Sequence, residues 1–181
     1  VEYAGKKFLI DPMLSKKGAF PGFPGTINSH MANPTVDLPL PLSEILDVDA
    51  VIVTHTHQDH WDDAAKEAIP KDMPIFTQNA RDQWDIQMSW FRNTWVLEER
   101  NDFGGITLNK TPGQHGRGVI LEGLMGDILG DVCGIVFTHP REKTLYIAGD
   151  TVWYHGVEQN LKHYKPDVMV LNSGDAKVLP N

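Results

Sequence analysis

Ala50-Val51-Ile52-Val53-Thr54-His55-Thr56-His57-Gln58-Asp59-His60 decides the reading of this chain: an apolar run of strand length opens directly onto three imidazoles and a carboxylate. Neutral imidazole is the commonest protein ligand for divalent transition metals, and a neighbouring carboxylate suits zinc, iron or manganese. Side chains alternate along an extended segment, so His55 and His57 point the same way. Asp59 and His60 lie just beyond, in a turn leading to a helix, where they can face a second ion. The plain alternative is a histidine-rich surface loop that picks up metal adventitiously. A buried strand in front of the loop and an acid set between the histidines argue against it.

Two later stretches extend the pattern. His115 stands in Gly113-Gln114-His115-Gly116, where flanking glycines let the backbone bend sharply toward an ion. Asp150 closes the strand-like run before Ala148-Gly149-Asp150-Thr151 and can approach a cation because glycine precedes it; its alternative is a helix cap. Trp153, Tyr154 and His155 follow closely and are expected to border the same cleft and touch substrate. Near the start, Asp11-Pro12 ends a strand, and Asp11 reads either as a support behind the metal-binding turn or as an ordinary turn acid.

His55-x-His57-x-Asp59-His60, then His115, then Asp150, resembles the successive metal motifs of the metallo-β-lactamase-fold hydrolases. The resemblance implies an α/β (α+β) fold: a four-layer αββα sandwich with helices outside two facing sheets and a metal cleft at one edge. It also implies two divalent metal ions, with zinc expected and manganese or iron as alternatives. His55, His57 and His115 would bind one ion; Asp59, His60 and a bridging Asp150 would bind the other. Two adjacent cations lower the pKa of a shared water to about 7 and polarise the bond to be attacked, so hydroxide would form at neutral pH. Asp59 has a second, catalytic role in orienting that hydroxide, and Asp11 lies behind the ligands as a partner that fixes imidazole tautomers. The family also carries a further histidine after its last strand. None follows His163 here, so the second ion is expected to bind less tightly.

The fold hosts many chemistries, so the motif gives a reaction type and not a substrate. The expected function is a metal-dependent hydrolase of a small-molecule ester, lactone or phosphoester, with the L-ascorbate-6-phosphate lactonase-like branch the nearest resemblance. A phosphodiesterase or nuclease is the enzymatic alternative, and a non-catalytic metal-binding scaffold the alternative outside catalysis.

Bulk properties agree with a small-molecule enzyme. The 181 residues, 41% hydrophobic with five Trp, suffice for a single domain over 1–181 with a sizeable core. Sixteen basic against 24 acidic residues leave a net charge of −8 and no basic run longer than a pair, which disfavours nucleic acid. Cys133, the single cysteine, lies in an apolar run and reads as a buried hydrophobe. No stretch approaches the roughly 20 apolar residues of a membrane span, and no signal peptide precedes the first strand, so the expected location is cytoplasmic. The chain opens on Val1 rather than Met, which leaves a leader open.

Along the chain, strands are expected at 1–4 and 7–10, joined as a hairpin. A Pro- and Gly-rich loop from Met13 to Pro41 follows. Its Phe20, Phe23, Ile27 and Met31 form an apolar face that reads as a wall or lid over the site, or as packing against a second copy in a homo-oligomer. A helical turn at 43–46, a strand at 50–54, a helix over 62–69, a parallel strand at 74–77 and a helix from the cap Asn79 to Ser89 come next. Trp84, Trp90 and Trp95 read as core or interface packing. Strands at 95–98 and 106–110 are separated by turns at Asn101-Asp102 and Gly104-Gly105. The loop from Gly116 to Gly130, with Leu121, Leu124, Met125, Ile128 and Leu129, is expected at the pocket mouth. A hairpin of 132–138 and 144–148, a helix over 157–164 with His163 on its solvated side, and a strand at 167–171 complete the chain.

Overall fold

The computed structural model describes residues 1–22, 27–116 and 130–174. Phe23, the apolar residues of the 116–130 loop up to Leu129, and Asp175 lie outside the described residues.

Among the described residues, ten strands form two five-stranded sheets. In the first, β1 (Glu2–Tyr3), β2 (Lys6–Ile10), β3 (Ala50–Val53), β4 (Ile75–Thr77) and β5 (Thr94–Val96) lie in sequence order. The β1–β2 pair is an antiparallel hairpin turning at Ala4 and Gly5, both at positive φ; the other pairs are parallel. The second sheet runs β10 (Val168–Val170), β9 (Leu145–Ile147), β8 (Cys133–Thr138), β7 (Ile106–Pro112) and β6 (Asn101–Phe103), antiparallel except between β9 and β10.

Side-chain alternation then builds the layers. From β3, Ala50 and Ile52 face the second sheet and meet Phe8, Phe76, Ile106, Leu108, Ile135 and Phe137 in the central core. Val51 and Val53 point the other way, onto α2 (Asp63–Ala68) and α3 (Ala80–Met88) through Ala65, Ile69 and Ile86. Because both faces are covered, all four β3 residues are buried and the strand reads as a continuous apolar run. On the far side, Val136, Tyr146 and Ala148 pack under Leu161 and Tyr164 of α4 (His155–Tyr164). The result is the expected four-layer αββα arrangement.

The helix starts follow from capping. The Asp62 carboxylate accepts the Ala65 N–H at 2.7 Å, and the Asn79 side chain accepts the Asp82 N–H at 2.8 Å. A short α1 (Leu42–Ile45) precedes β3. Asp62 also accepts the Ser15 N–H at 2.8 Å, and Leu14 and Leu38 join the outer core, so the long proline-rich loop is tied to α2 and the outer core.

Three sequence expectations need correction. Asn101 and Asp102 are not a turn: they pair with β7, and the reversal contracts to Gly104 and Gly105 at φ 62° and 87°. Two consecutive left-handed glycines make that tight reversal inexpensive, which frees Phe103 to pack edge-on against Phe8 and Phe76. The last helix starts at His155, two residues before the expected Val157. Of the core-or-interface reading of Trp84, Trp90 and Trp95, the core half does not hold: they are 60%, 78% and 43% exposed. In α3 the buried side chains are Asp82 and Ile86, one turn apart, so Trp84 midway between them is carried to the solvent face with Met88. Trp95 retains one stacked partner, Phe76, at 5.5 Å. Cys133 is fully buried as expected, and burial pushes its thiol up to about 12. No described helix is long and apolar enough to cross a membrane.

Ile135 lies fully buried between the sheets, so Ile135→Ala is expected to remove about 2–5 kcal/mol of stability. Equilibrium denaturant unfolding measures this; a loss under 1 kcal/mol would show that the two sheets are not close-packed there.

Candidate metal centre

Parallel strands deliver their carboxyl ends to one edge of a sheet, and that edge is where α/β proteins collect functional groups. Here β2 ends at Asp11, β3 at Thr54-His55 and β4 at Gln78; β7 leads to His115, β9 to Asp150 and β10 to Asn172. Residues from each of these ends meet around His55.

His55 is 1% exposed. Its Nε2 lies 3.1 Å from His57 Nδ1 and 3.3 Å from His115 Nε2. Donors bound to one tetrahedral ion at about 2.0–2.1 Å are separated by about 3.3 Å, so this spacing fits a shared cation. The ligand atoms of His55, Asp59 and His60 form a second close group, within 4.8 Å of one another. His60 Nε2 is 3.7 Å from Asp59 Oδ2 and 3.1 Å from Asp150 Oδ2. The six expected metal ligands are therefore drawn together about the buried His55 and His60 rings, whose centroids are 4.0 Å apart.

Asp11 controls what those rings present. It adopts φ 49°, which aspartate tolerates better than most residues, with its N–H donated to the Ile52 carbonyl at 2.9 Å. Its carboxylate accepts the Thr54 N–H and the Thr54 hydroxyl, each at 2.7 Å. With that hydroxyl proton spent, the Thr54 oxygen 3.2 Å from His55 Nδ1 can only accept, so Nδ1 carries the proton and Nε2 turns a lone pair to the cluster. Asp11 Oδ2 also lies 2.9 Å from His60 Nδ1; the contact brings the charges together but is too bent for a hydrogen bond.

Electrostatics divide the site. Burial, helped by the rings of His60, His57 and His115, pushes His55 down to about 2, which keeps it a neutral donor. His115 is likewise lowered, chiefly by burial, although its Nδ1 faces the Gly130 carbonyl at 3.3 Å. Burial acts against charge on His60 too, but the carboxylates of Asp11 and Asp150 outweigh it and push His60 up to about 10. Asp150 sits well below the usual carboxylate range: burial opposes this, and His60 with Asn172 overrides it.

Trp153, Tyr154 and His155 have other neighbours. Trp153 is 57% exposed; Tyr154 precedes α4 and lies against Gly156, with burial and then Tyr146 raising its pKa; His155 faces Glu158 at 3.8 Å. The chain reaches the cluster there through its backbone, where the Val152 N–H donates to the Gln114 carbonyl at 2.8 Å and Thr151 Oγ1 accepts the Gln114 N–H at 3.0 Å.

Other residues complete the centre. Asn172 Nδ2 donates to Asp150 Oδ1 at 2.6 Å. A cleft of about 140 Å³ is lined by His55, Thr56 and His57 together with Gln78, Arg81, Asp82 and Asp85. Gln78 could have been found by one signal: it directly follows a parallel strand, and Asn172, like His55, stands one residue further past the end of its own.

The sequence pattern of the β-lactamase superfamily domain matches residues 6–177. UPF0173 protein YddR of Bacillus subtilis (strain 168) is 52% identical over 176 residues, covering 97% of this chain and 68% of its own length. The crystal structure of an isothiocyanate hydrolase from Delia radicum gut bacteria superimposes with a TM-score of 0.92 at 53% identity, covering 96% of this chain and 67% of that one. That of a possible metal-dependent hydrolase from Veillonella parvula DSM 2008 gives 0.96 at 42% identity, covering 100% and 70%. The fold and site define a β-lactamase superfamily domain of the metallo-β-lactamase type. Within that class the chain belongs to the UPF0173 family, several of whose members are named metal-dependent hydrolases. It spans about two thirds of the length of these relatives.

Gly149 holds φ 67°, and a Cβ there would stand 2.5 Å from the Cys133 carbonyl oxygen. Gly149→Ala must therefore shift the backbone that presents Asp150. We expect it to bind added Zn²⁺ more weakly by about the 10- to 100-fold that loss of a ligand-orienting partner costs. Calorimetric titration of metal-free protein checks this, and unchanged affinity at both ions would contradict it.

Proposed function

We propose that the chain is a metal-dependent hydrolase of small molecules that binds two divalent ions, zinc in the first place, with manganese or iron as alternatives. The observation that carries this reading is the convergence of three imidazole nitrogens at 3.1 and 3.3 Å around a His55 whose tautomer is fixed from behind. His55, His57 and His115 hold one ion, and Asp59, His60 and Asp150 the other. Bound there, the ions acidify water and polarise the bond to be attacked. The protein supplies the rest. Asp11 and Thr54 hold His55 as a neutral donor; Asn172 fixes the Asp150 carboxylate; and Asp59, 64% exposed at its side chain, stands at the open side where it orients the attacking water. Trp153, Tyr154 and His155 are assigned to the outer rim of the substrate path.

The substrate is read from the cleft and the relatives. Asp82, Asp85 and Asp131 line the cleft against a single arginine, Arg81, and the chain carries a net charge of −8. Such a wall disfavours a phosphate backbone, although bound cations would offset part of its charge. An uncharged molecule with an electrophilic carbon suits it better. An isothiocyanate, the substrate named for the 53%-identical relative, is the leading candidate. Water adds to its central carbon, and the adduct breaks down to an amine and carbonyl sulfide. Esters, lactones and phosphoesters, including the ascorbate-6-phosphate lactone type, are the competing classes.

Turnover of an aryl isothiocyanate, a lactone and a phosphodiester, measured with metal content by mass spectrometry, tests the assignment. His57→Ala and His115→Ala should each lose more activity than the roughly 10- to 100-fold that removal of an outer partner costs. Wild-type rates in both variants would refute the three-histidine site, and turnover of the phosphodiester alone would transfer the protein to the phosphodiesterases.

A further inference from the structure

Asp11 supports the metal centre from the β2 side, but nothing in that arrangement fixes Thr56 and His57, or the Gly130 carbonyl that His115 faces. A second polar system reaches both. Gln78, 3% exposed at the end of β4, donates from Nε2 to Asp82 Oδ2 at 2.9 Å and to the Asp131 carbonyl. Asp82, 6% exposed, accepts a longer hydrogen bond from Thr56 Oγ1 at 3.4 Å. Its backbone N–H is capped by Asn79 at 2.8 Å, which anchors the carboxylate at the rigid start of α3. The Gln78 carbonyl in turn accepts the Lys110 ammonium from β7, in the second sheet.

We infer that Gln78 and Asp82 are positioning residues that strap together the two segments carrying the histidines: Thr56, between His55 and His57, and Gly130-Asp131, behind His115. The inference rests on the reading of those three histidines as ligands. Gln78 suits the task because one side-chain nitrogen offers two protons in a fixed plane, so it can join a carboxylate on α3 to a carbonyl at the approach to β8. Burying the Asp82 carboxylate costs desolvation that its hydrogen bonds offset, and those from Gln78 and Thr56 come from residues at the cleft. The strap spans the seam between the sheets beside the cleft, where a small sliding motion would open the 3.3 Å spacing between His55 Nε2 and His115 Nε2.

The test uses Gln78→Met, which keeps length and removes both donors; Asp82→Ala; Asp82→Asn, which keeps an acceptor oxygen; and Thr56→Val, which deletes one hydroxyl. Affinity for Co²⁺ is measured by chelator competition, the visible spectrum of the cobalt-loaded protein reports ligand geometry, and the melting temperature of metal-free protein reports the fold. Gln78→Met and Asp82→Ala should bind cobalt roughly 10- to 100-fold more weakly with an altered spectrum, and Asp82→Asn should recover most of the affinity. A purely structural role would lower the melting temperature and leave the spectrum of the folded, loaded protein unchanged. Wild-type affinity and spectrum in Gln78→Met and Asp82→Ala would overturn the inference. If those two fail to fold, Thr56→Val decides, because it removes only the strap's contact at the histidine pair. His57→Ala and His115→Ala run alongside: if they lose cobalt while the strap variants keep it, the strap fails and the ligand reading stands. If they bind like wild type, the ligand reading itself fails.

Discussion

The Asp11 carboxylate is the contact on which the centre depends. A single side chain accepts the N–H and the hydroxyl of Thr54 and lies against His60, so it fixes the end of β3 and two of the rings that follow. The consequence is chemical as well as geometric. Because Thr54 gives its proton to Asp11, His55 must give its Nδ1 proton to Thr54, and the remaining lone pair points into the cluster. A buried imidazole could otherwise settle in either tautomer; here the choice is made by a carboxylate at the end of the neighbouring strand and transmitted through one hydroxyl.

Such a contact is available only because of the sheet. Asp11, Thr54 and Gln78 end three adjacent parallel strands, and the registers Ile10↔Ile52 and Val53↔Thr77 bring those ends level. The continuous apolar run of β3 is the other half of the same arrangement. Its burial on both faces between the central core and α2 with α3 makes the strand end a stiff mount, and it excludes water from behind His55. Polar groups at this edge are therefore desolvated, and each is costly unless paired. Thr54, His55, His60, Gln78 and Asp82 are all buried there, and the network among them is what makes that burial tolerable.

The sequence announced the parts whose partners are close along the chain. His55, His57, Asp59 and His60 are contiguous, and the strand before them is legible from its apolar run, so motif and mount could be read together. The caps Asp62 and Asn79 were legible for the same reason, since each acts three residues away. Gln78 and Asp82 were not legible. Their role comes from the lateral neighbour relation of β3 and β4, and from Asp131, 53 positions away in sequence from Gln78. Asn172 reaches Asp150 only because β10 lies parallel beside β9. The exposed tryptophans failed for a different reason: an aromatic side chain suggests core, but the helix period is set by Asp82 and Ile86, and Trp84 falls between them.

This separation between what the motif encodes and what the cleft contains bears on substrate choice. The six expected ligands would fix where cations sit, and they are compatible with every chemistry the fold supports. The opposite wall comes from elsewhere: Gln78, Arg81, Asp82 and Asp85 from the β4–α3 connection, and Asp131 from the approach to β8. Those residues set the charge a substrate meets and the width it must fit. They also carry the hydrogen bonds that hold the wall to the metal-binding segments, through Thr56 on one side and the 130–131 backbone on the other. A change in the wall that alters selectivity therefore pulls on the ligands as well. On that reading substrate range and metal geometry would be coupled at this edge of the fold, and the identity of the substrate would be sought in the β4–α3 connection rather than in the histidine motif.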